Sequence, residues 1–391
     1  MYIRLMLFEV VLYACSTVAG IIFLIHLGLA IGVIIDRFRD FRFPSGSENQ
    51  CRISVIVVAK DEEHTLPRLL ESLEAQSRPD FEIILVNDRS TDHTGELMNR
   101  YKERLGSRVT IIHNDQEPEF LNGKQCALDI ALAVAGGELL MFTDGDCVLP
   151  PTWVADYPRY FKDPKVGVVF GQISLLGNAS FLERYQAFDQ PLIHQYSSGS
   201  AGLGLPTGCF GNNLVARKIA LDQIGGFKAL GYTLTEDAAL ISAVAENKWK
   251  VRVSTLPSTM IATIPQGSWR QFINQHVRWN SGAFYSGDFA TRWGYRFIVL
   301  YLLASILVIP FAPFQPLLLI LPVVSFISIG TLSLTMGLLY RRDRIQDLLR
   351  LAPYTLFFML FYSLITLLSI IRFSPVWKGK QQDLGASKKS I

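Results

Sequence analysis

The chain has 391 residues, 50% of them hydrophobic and only 18% charged, which is more apolar than an average soluble domain; long uncharged runs lie at both ends and the middle has the composition of a soluble protein. Its net charge of +3 is small and its Lys and Arg residues are not massed into a patch, which excludes a nucleic-acid partner. Five widely spaced cysteines without a C-x-x-C pair exclude a disulfide framework and a structural zinc site, and fit a reduced, cytosolic main domain.

The first element is apolar. Val10 to Ile35 carries no formal charge and exceeds the ~20 residues that a transmembrane helix needs. A cleaved signal peptide has an apolar core of only about 7–15 residues after a basic start. Here the basic residues Arg37, Arg39 and Arg42 follow the run instead. Residues 1–36 therefore read as a retained anchor. The positive-inside rule puts the residues after it in the cytosol.

Residues 51–292 form the main domain, in which strand and helix patterns alternate. Ile53 to Ala59 is a β-branched run typical of a buried parallel strand. The leucines 66, 69, 70 and 73 then recur at helical spacing between His64 and Gln76. Glu82 to Asn87, Val109 to His113 and Glu138 to Thr143 read as further strands, with helices over Thr91–Leu105 and Lys124–Ala135. This βαβαβαβ order predicts a mostly parallel α/β sheet with helices on both faces. Ligands of such sheets sit beyond the carboxyl ends of the strands.

Three acidic clusters fall at those ends: Lys60-Asp-Glu-Glu63, Asn87-Asp-Arg-Ser-Thr-Asp92 and Thr143-Asp-Gly-Asp146. Gathered carboxylates raise one another's pKa, and a hard cation such as Mg²⁺ or Mn²⁺ relieves the repulsion. Each cluster alone also reads as a turn or a helix cap, and Lys124 as a solvated helix-start lysine. Their coincidence at successive ends of one sheet favours a site.

Two later motifs follow. Thr235-Glu236-Asp237 opens a helix reaching Asn247. Thr235 is a candidate N-cap, and Asp237 either complements the helix dipole or serves as a general base. Gln275, Arg278 and Trp279 share one helix face. An Arg clamps diphosphate and an indole stacks on a sugar ring, although aromatic and basic residues also anchor interfacial helices. His276 and His113 read as structural.

Residues 296–372 hold the C-terminal apolar helices: Phe297 to Tyr340 as a hairpin turning at Phe311–Pro316, then Leu351 to Ile371. Arg341 to Arg344 lies between them, and residues 373–391 form a basic tail. Three full crossings after the main domain would put that tail outside, whereas its charge argues for inside. One run is therefore expected to be re-entrant or interfacial.

Together these residues resemble the membrane-bound members of glycosyltransferase family 2, which include cellulose, chitin and hyaluronan synthases and lipid-glucosylating enzymes. The resemblance covers about residues 51–290. It rests on Asp88 after the second strand, the D-x-D of Asp144 and Asp146, the Glu236-Asp237 pair, and the Q-x-x-R-W of Gln275, Arg278 and Trp279. It implies a GT-A-like nucleotide-sugar-binding domain flanked by transmembrane α-helices, in a multi-pass protein of a bacterial inner or plasma membrane. It further implies inverting, metal-dependent transfer from a UDP-linked donor. Asp88 and Lys124 would hold the nucleotide, Asp144 the nucleotide sugar, and Asp146 with Asp144 the Mg²⁺ or Mn²⁺. Asp237, beside Glu236, would deprotonate the acceptor, Gln275 and Arg278 would meet the diphosphate, and Trp279 would line the acceptor site. Glu62 matches a frequent donor-side acid of less defined purpose. The short membrane part and the tail Trp377-Lys-Gly-Lys380 favour a lipid or other membrane-associated acceptor over a long polysaccharide made processively. A sugar-phosphate nucleotidyltransferase would need a glycine-rich loop where Lys60 to Glu63 stands. A non-catalytic scaffold would lack Asp146 or Asp237.

Overall fold

The computed structural model describes residues 2–40, 51–118, 121–341, 351–377 and 380–381. Arg42, Arg342 to Arg344 and the tail lysines Lys378, Lys388 and Lys389, to which the sequence reading assigned topological weight, lie outside the described residues.

The chain begins with α1 (Tyr2–Asp40), followed by β1 (Ile53–Ala59), α2 (Leu66–Glu74), β2 (Glu82–Asp88), α3 (Thr94–Leu105), β3 (Val109–Asn114), α4 (Gly123–Val134) and β4 (Leu139–Asp144). Along β1, Val55 and Val57 enter one apolar layer with α2, and Ile56 enters the opposite layer with α4. That is the period-two alternation of a strand covered on both faces. These strands pair in parallel in the order β3-β2-β1-β4, so Asp88 and Asp144 end the two strands that flank β1, on one sheet edge.

The second half adds β5 (Cys147–Val148), α5 (Trp153–Asp156), β6 (Val166–Gly171), β7 (Ile173–Leu175), α6 (Phe181–Gly202), β8 (Leu214–Arg217), α7 (Lys218–Ile224), α8 (Glu236–Glu246), β9 (Lys250–Ser254) and β10 (Ile261–Thr263). Here the sheet departs from all-parallel pairing. β8 inserts antiparallel between β4 and β6, and β9 closes the edge parallel to β6. A small sheet of β5, β10 and β7 holds the chain just after Asp146. Asn213 at the start of β8 ties this half together. Its Oδ1 accepts from Trp153 Nε1 and the Tyr157 hydroxyl, and its Nδ2 donates to the carbonyls of Gln172 and Thr259.

The remaining elements are α9 (Trp269–Phe284), α10 (Phe289–Leu307), α11 (Ile320–Met336), α12 (Ala352–Ile370) and a short tail pairing of β11 (Val376–Trp377) with β12 (Lys380–Gln381). Among the described residues, four helical stretches are long and apolar enough to cross a membrane: Leu12–Asp40, Thr291–Phe311, Pro316–Leu339 and Ala352–Ile370.

The end of α1 is built into the main domain. Arg37 Nη1 donates to the Thr255 carbonyl at 2.8 Å, and Arg39 Nη1 to the Gly202 carbonyl at 3.0 Å. Asp40 accepts from both the backbone and the hydroxyl of Thr255. These arginines thus hold protein carbonyls as well as ending an apolar span. Glycines bring α1 and α6 into backbone contact. A Cβ on Gly199 would lie 2.4 Å from the Leu29 carbonyl oxygen, and one on Gly32 2.0 Å from the Gly199 oxygen. Gly199→Leu should therefore sharply reduce recovery of monodisperse protein and lower its melting temperature, because overpacking against backbone has no rotamer escape. Gly20→Ala, with no heavy atom within 4 Å of the added carbon, should leave both unchanged.

α12 lies along α9 and α6. Its N-terminal half stacks Tyr354 and Phe357 around Tyr185 and Trp269, and Phe361 stacks on Phe272 at 5.0 Å. At its other end Asn280 Nδ2 donates to the Ser369 hydroxyl and the Tyr285 hydroxyl donates to the Ser369 carbonyl. The tail then returns to α9, where Val376 N donates to Asn274 Oδ1 at 3.1 Å.

Candidate active site

The sheet edge and two helices, α4 and α8, build one pocket. It is lined by Val58, Phe142 and Thr143 from the strands, Lys124 and Leu128 from α4, and Glu236, Asp237 and Leu240 from α8, with Asp144 at the end of β4. The N-terminus of α4 fixes Lys124. Asn122 and Gln125 cap each other reciprocally, and their amides also reach the carbonyls of Thr233 and Gly231. The loop leading to Glu236 is thereby tied to the same helix end as Lys124.

Lys124 Nζ donates to Asp144 Oδ1 at 2.8 Å and lies 3.5 Å from Glu236 Oε1. Burial works against its charge, but Asp144 and Glu236 outweigh that and hold the ammonium above its usual range. Among the described residues Asp146 makes no ion pair, and Cys147 Sγ donates weakly to its Oδ1 at 3.5 Å. Burial first, then repulsion from Asp144 and Glu62, pushes its carboxyl up to about 6. Glu62 packs beneath Gly145 and accepts from the Thr65 hydroxyl, so it contributes a wall and a negative charge.

Asp237 sits in the first turn of α8. Thr235 occupies the N-cap position but makes no side-chain cap bond. Asp237 Oδ2 instead accepts from the Gly211 backbone at 2.8 Å and Oδ1 from its own neighbour Ala238 at 2.8 Å. Burial and the adjacent Glu236 raise this carboxyl to about 6, while the two backbone donors hold it down. It is ionised at pH 7 and close enough to neutrality to exchange a proton.

Asp88 is buried with both oxygens engaged: Oδ1 accepts from Arg89 Nε and Asn114 Nδ2, and Oδ2 from Arg89 Nη2. Arg89 has φ +56° and also pairs with Glu117 at 2.7 Å. On α9, Arg278 Nη1 donates to the Leu234 carbonyl at 3.2 Å, just before the Glu236-Asp237 pair. Gly282 lets α9 approach that loop, since a Cβ there would stand 2.6 Å from Thr235 Cγ2. Trp279 meets Phe210 edge-to-face at 5.3 Å. Gln275 Oε1 is buried and makes no hydrogen bond among the described residues. His276 is buried on α9, with Nε2 2.8 Å from Asp189 Oδ2 on α6.

Lys124, Asp144, Glu236 and Asp237 thus share one pocket, with Asp146 and Glu62 beside it. Asp88 lies on the same edge behind Arg89, and Arg278 and Trp279 close the other side. The sequence reading passed over Gly208-Cys-Phe-Gly-Asn-Asn213, although this loop supplies the Gly211 donor to Asp237 and the Phe210 ring against Trp279. Its signal was two glycines spaced around an aromatic just before a β-branched strand.

Comparison with known proteins decides the family. The sequence pattern described as Glycosyl transferase family 2 matches residues 54–223, and that described as Glycosyl transferase family group 2 matches residues 139–370. The chain belongs to glycosyltransferase family 2. It is similar to the probable glycosyltransferase YdaM of Bacillus subtilis (strain 168), with 24% identity over 59% of this chain and 55% of that protein. It is also similar to the poly-beta-1,6-N-acetyl-D-glucosamine synthase of Staphylococcus epidermidis, with 25% identity over 59% of this chain and 54% of that protein. The chain spans about half the length of these relatives. Among solved structures, the mannosyltransferase PcManGT from Pyrobaculum calidifontis, in complex with GDP-Man and Mn2+, superposes with a TM-score of 0.50 at 16% identity, covering 91% of this chain and 99% of that one. That likeness concerns the fold, which is GT-A-like.

In this glycosyltransferase the carboxylates themselves decide whether a metal fits. Among the described residues, no three His, Cys, Asp or Glu side chains gather closely enough to hold an ion unaided. Burial and the repulsion of Asp144 and Glu62 nevertheless raise the Asp146 carboxyl, and Lys124 offsets this only in part. Two carboxylates completed by substrate phosphates and water are the usual Mg²⁺ arrangement, and the pair of Asp144 and Asp146 fits it.

Proposed function

We propose that the protein transfers a sugar from a nucleotide-sugar donor to a membrane-associated acceptor, on the cytosolic face of a membrane and with inversion at the anomeric carbon. The observation that carries this reading is the position of α9. Arg278 and Trp279 reach the loops around Asp237, while Phe272, His276 and Asn280 of the same helix pack on α12, one of the four apolar helices. The pocket therefore lies one helix away from the apolar part, and an acceptor held in a bilayer has a short path to it.

In this reading Asp88 and Lys124 hold the nucleotide, and a base reaching Asp88 displaces Arg89 from it. Asp237 takes the proton of the acceptor hydroxyl. The oxygen attacks the anomeric carbon on the face opposite the diphosphate, and the bond from that carbon to the leaving oxygen breaks. Lys124 and Arg278 are the cations that neutralise the departing charge, with Gln275 beside them and Trp279 under the acceptor. A divalent ion held by Asp144 and Asp146 supplies further neutralisation of the diphosphate when bound.

The test is a nucleotide-sugar screen on the purified protein in lipid, following nucleoside diphosphate release. One donor should support release that rises when lipid extract is added. Release that no lipid fraction stimulates would remove the membrane acceptor.

Topology follows from the same contacts. Both ends of α12 rest on helices of the main domain, and β11 touches Asn274, which supports three crossings by α1, α10 and α11 and a tail on the cytosolic side. In a background free of native cysteine, Ser77→Cys and Gln381→Cys should both resist an impermeant thiol reagent in intact cells. Labelling at 381 alone would make α12 a fourth crossing, and labelling at 77 would invert the protein.

A further inference from the structure

His194 of α6 is fully buried, and neither ring nitrogen has a hydrogen-bond partner among the described residues. Burial lowers its pKa to about 3, so the ring is neutral at pH 7 and offers one donor and one acceptor. Buried polar groups are almost always satisfied, and an exception calls for a partner. The neighbouring polar side chains show how the domain normally meets that demand: Asn213 makes four hydrogen bonds, and His276 engages both of its nitrogens.

His194 is not remote from the pocket. The Phe210 ring stacks on it at 4.0 Å and 22°, and the other side of Phe210 meets Trp279 at 5.3 Å. Phe210 sits in the loop whose next residue, Gly211, donates to Asp237. Among the described residues, two further buried oxygens without partners lie close to these rings in sequence: Asn212 Oδ1, two residues after Phe210, and Gln275 Oε1, one turn before Trp279 on α9. A neutral imidazole stacked on Phe210, which in turn meets Trp279, matches a ligand that carries hydroxyl groups on a ring with an apolar face.

We propose that His194 is an acceptor-specificity residue: Phe210 turns off the imidazole when the acceptor binds, and His194 then hydrogen-bonds a hydroxyl of an acceptor that ends in a sugar ring. This rests on the reading of Asp237 and Trp279 as the acceptor side of the pocket. A water molecule trapped at His194 is the competing account, since buried waters commonly satisfy such groups.

The test uses the full-length protein in lipid, with the donor found in the screen and total lipid extract as the acceptor probe. His194→Phe extends the aromatic stack and removes the unsatisfied nitrogens. The extract concentration for half-maximal transfer should rise about tenfold or more. Donor affinity, titrated without acceptor, should hold, and the melting temperature should stay level or rise. His194→Gln, which restores a donor and an acceptor, should recover most of the acceptor affinity. If His194→Phe does not fold, His194→Met takes its place, because methionine adapts to irregular space. An unchanged half-maximal concentration in the Phe or Met variant overturns the proposal and leaves the trapped water. A wild-type protein that transfers nothing to lipid extract instead overturns the membrane-acceptor reading beneath it, and this inference with it.

Discussion

Asp237→Asn should lose acceptor-dependent turnover by about 10²-fold or more while donor affinity stays nearly intact. The asparagine amide cannot take the proton of a hydroxyl, and nothing else changes in the contacts to the donor. The carboxyl is held near pH 6 by burial and Glu236. Wild-type transfer should therefore fall as the pH drops through about 6, as the base becomes protonated. The stability effect has the opposite sign. A carboxyl whose folded pKa is raised above its ordinary value stabilises the fold below that ordinary value, and this contribution is lost as the pH rises through 6. At neutral pH the neutral Asn variant should melt at the same temperature as the wild type or higher. A helix-cap role predicts the reverse pattern: a loss of up to about 1 kcal/mol in stability, with activity per folded molecule retained. Because Thr235 makes no cap bond and Asp237 accepts from Gly211 of a distant loop, the contacts favour the catalytic pattern. Turnover, donor binding and melting measured on the same protein separate the two.

Asp146→Asn should abolish the response to metal. In the wild type EDTA should stop turnover and Mg²⁺ or Mn²⁺ should restore it. In the variant metal-dependent donor binding should weaken at least by the roughly 10–100-fold that losing an outer-shell partner costs a metal site. The metal-free variant should also melt higher than the metal-free wild type, because the repulsion of Asp146 by Asp144 and Glu62 is gone. A rise in stability with a loss of donor binding cannot come from misfolding. Full wild-type turnover in EDTA would remove the metal from the account.

The first four strands were legible because their short apolar runs alternate with helical patterns and three of them end in acidic residues, all of which are local signals. Asp88 and Asp144 thus fell where they were expected, at the ends of β2 and β4. The antiparallel insertion of β8 between β4 and β6 was not legible, since short strands paired across long separations carry no local mark. The length of the apolar runs foretold the number of apolar helices, but not that α12 would lie along α9. That depends on aromatic partners such as Phe272 and Phe361 meeting across almost ninety residues. Arg37 and Arg39 followed the charge rule in sequence, yet their partners are carbonyls on α6 and beyond β9. The grip of Arg89 on Asp88 depends on a positive φ, which composition does not reveal. His194 was invisible for a related reason: one histidine among the polar residues of α6 looks solvated until the fold shows it buried.

The product carries the central claim most directly. The protein, reconstituted in lipid with the labelled donor identified in the screen and with lipid extract, should yield a labelled product that partitions into organic solvent and bears one or a few sugars. The same reaction with Asp237→Asn should leave the organic phase unlabelled. Label found only in a long, solvent-insoluble polysaccharide would contradict the lipid acceptor and make the protein a polymer synthase.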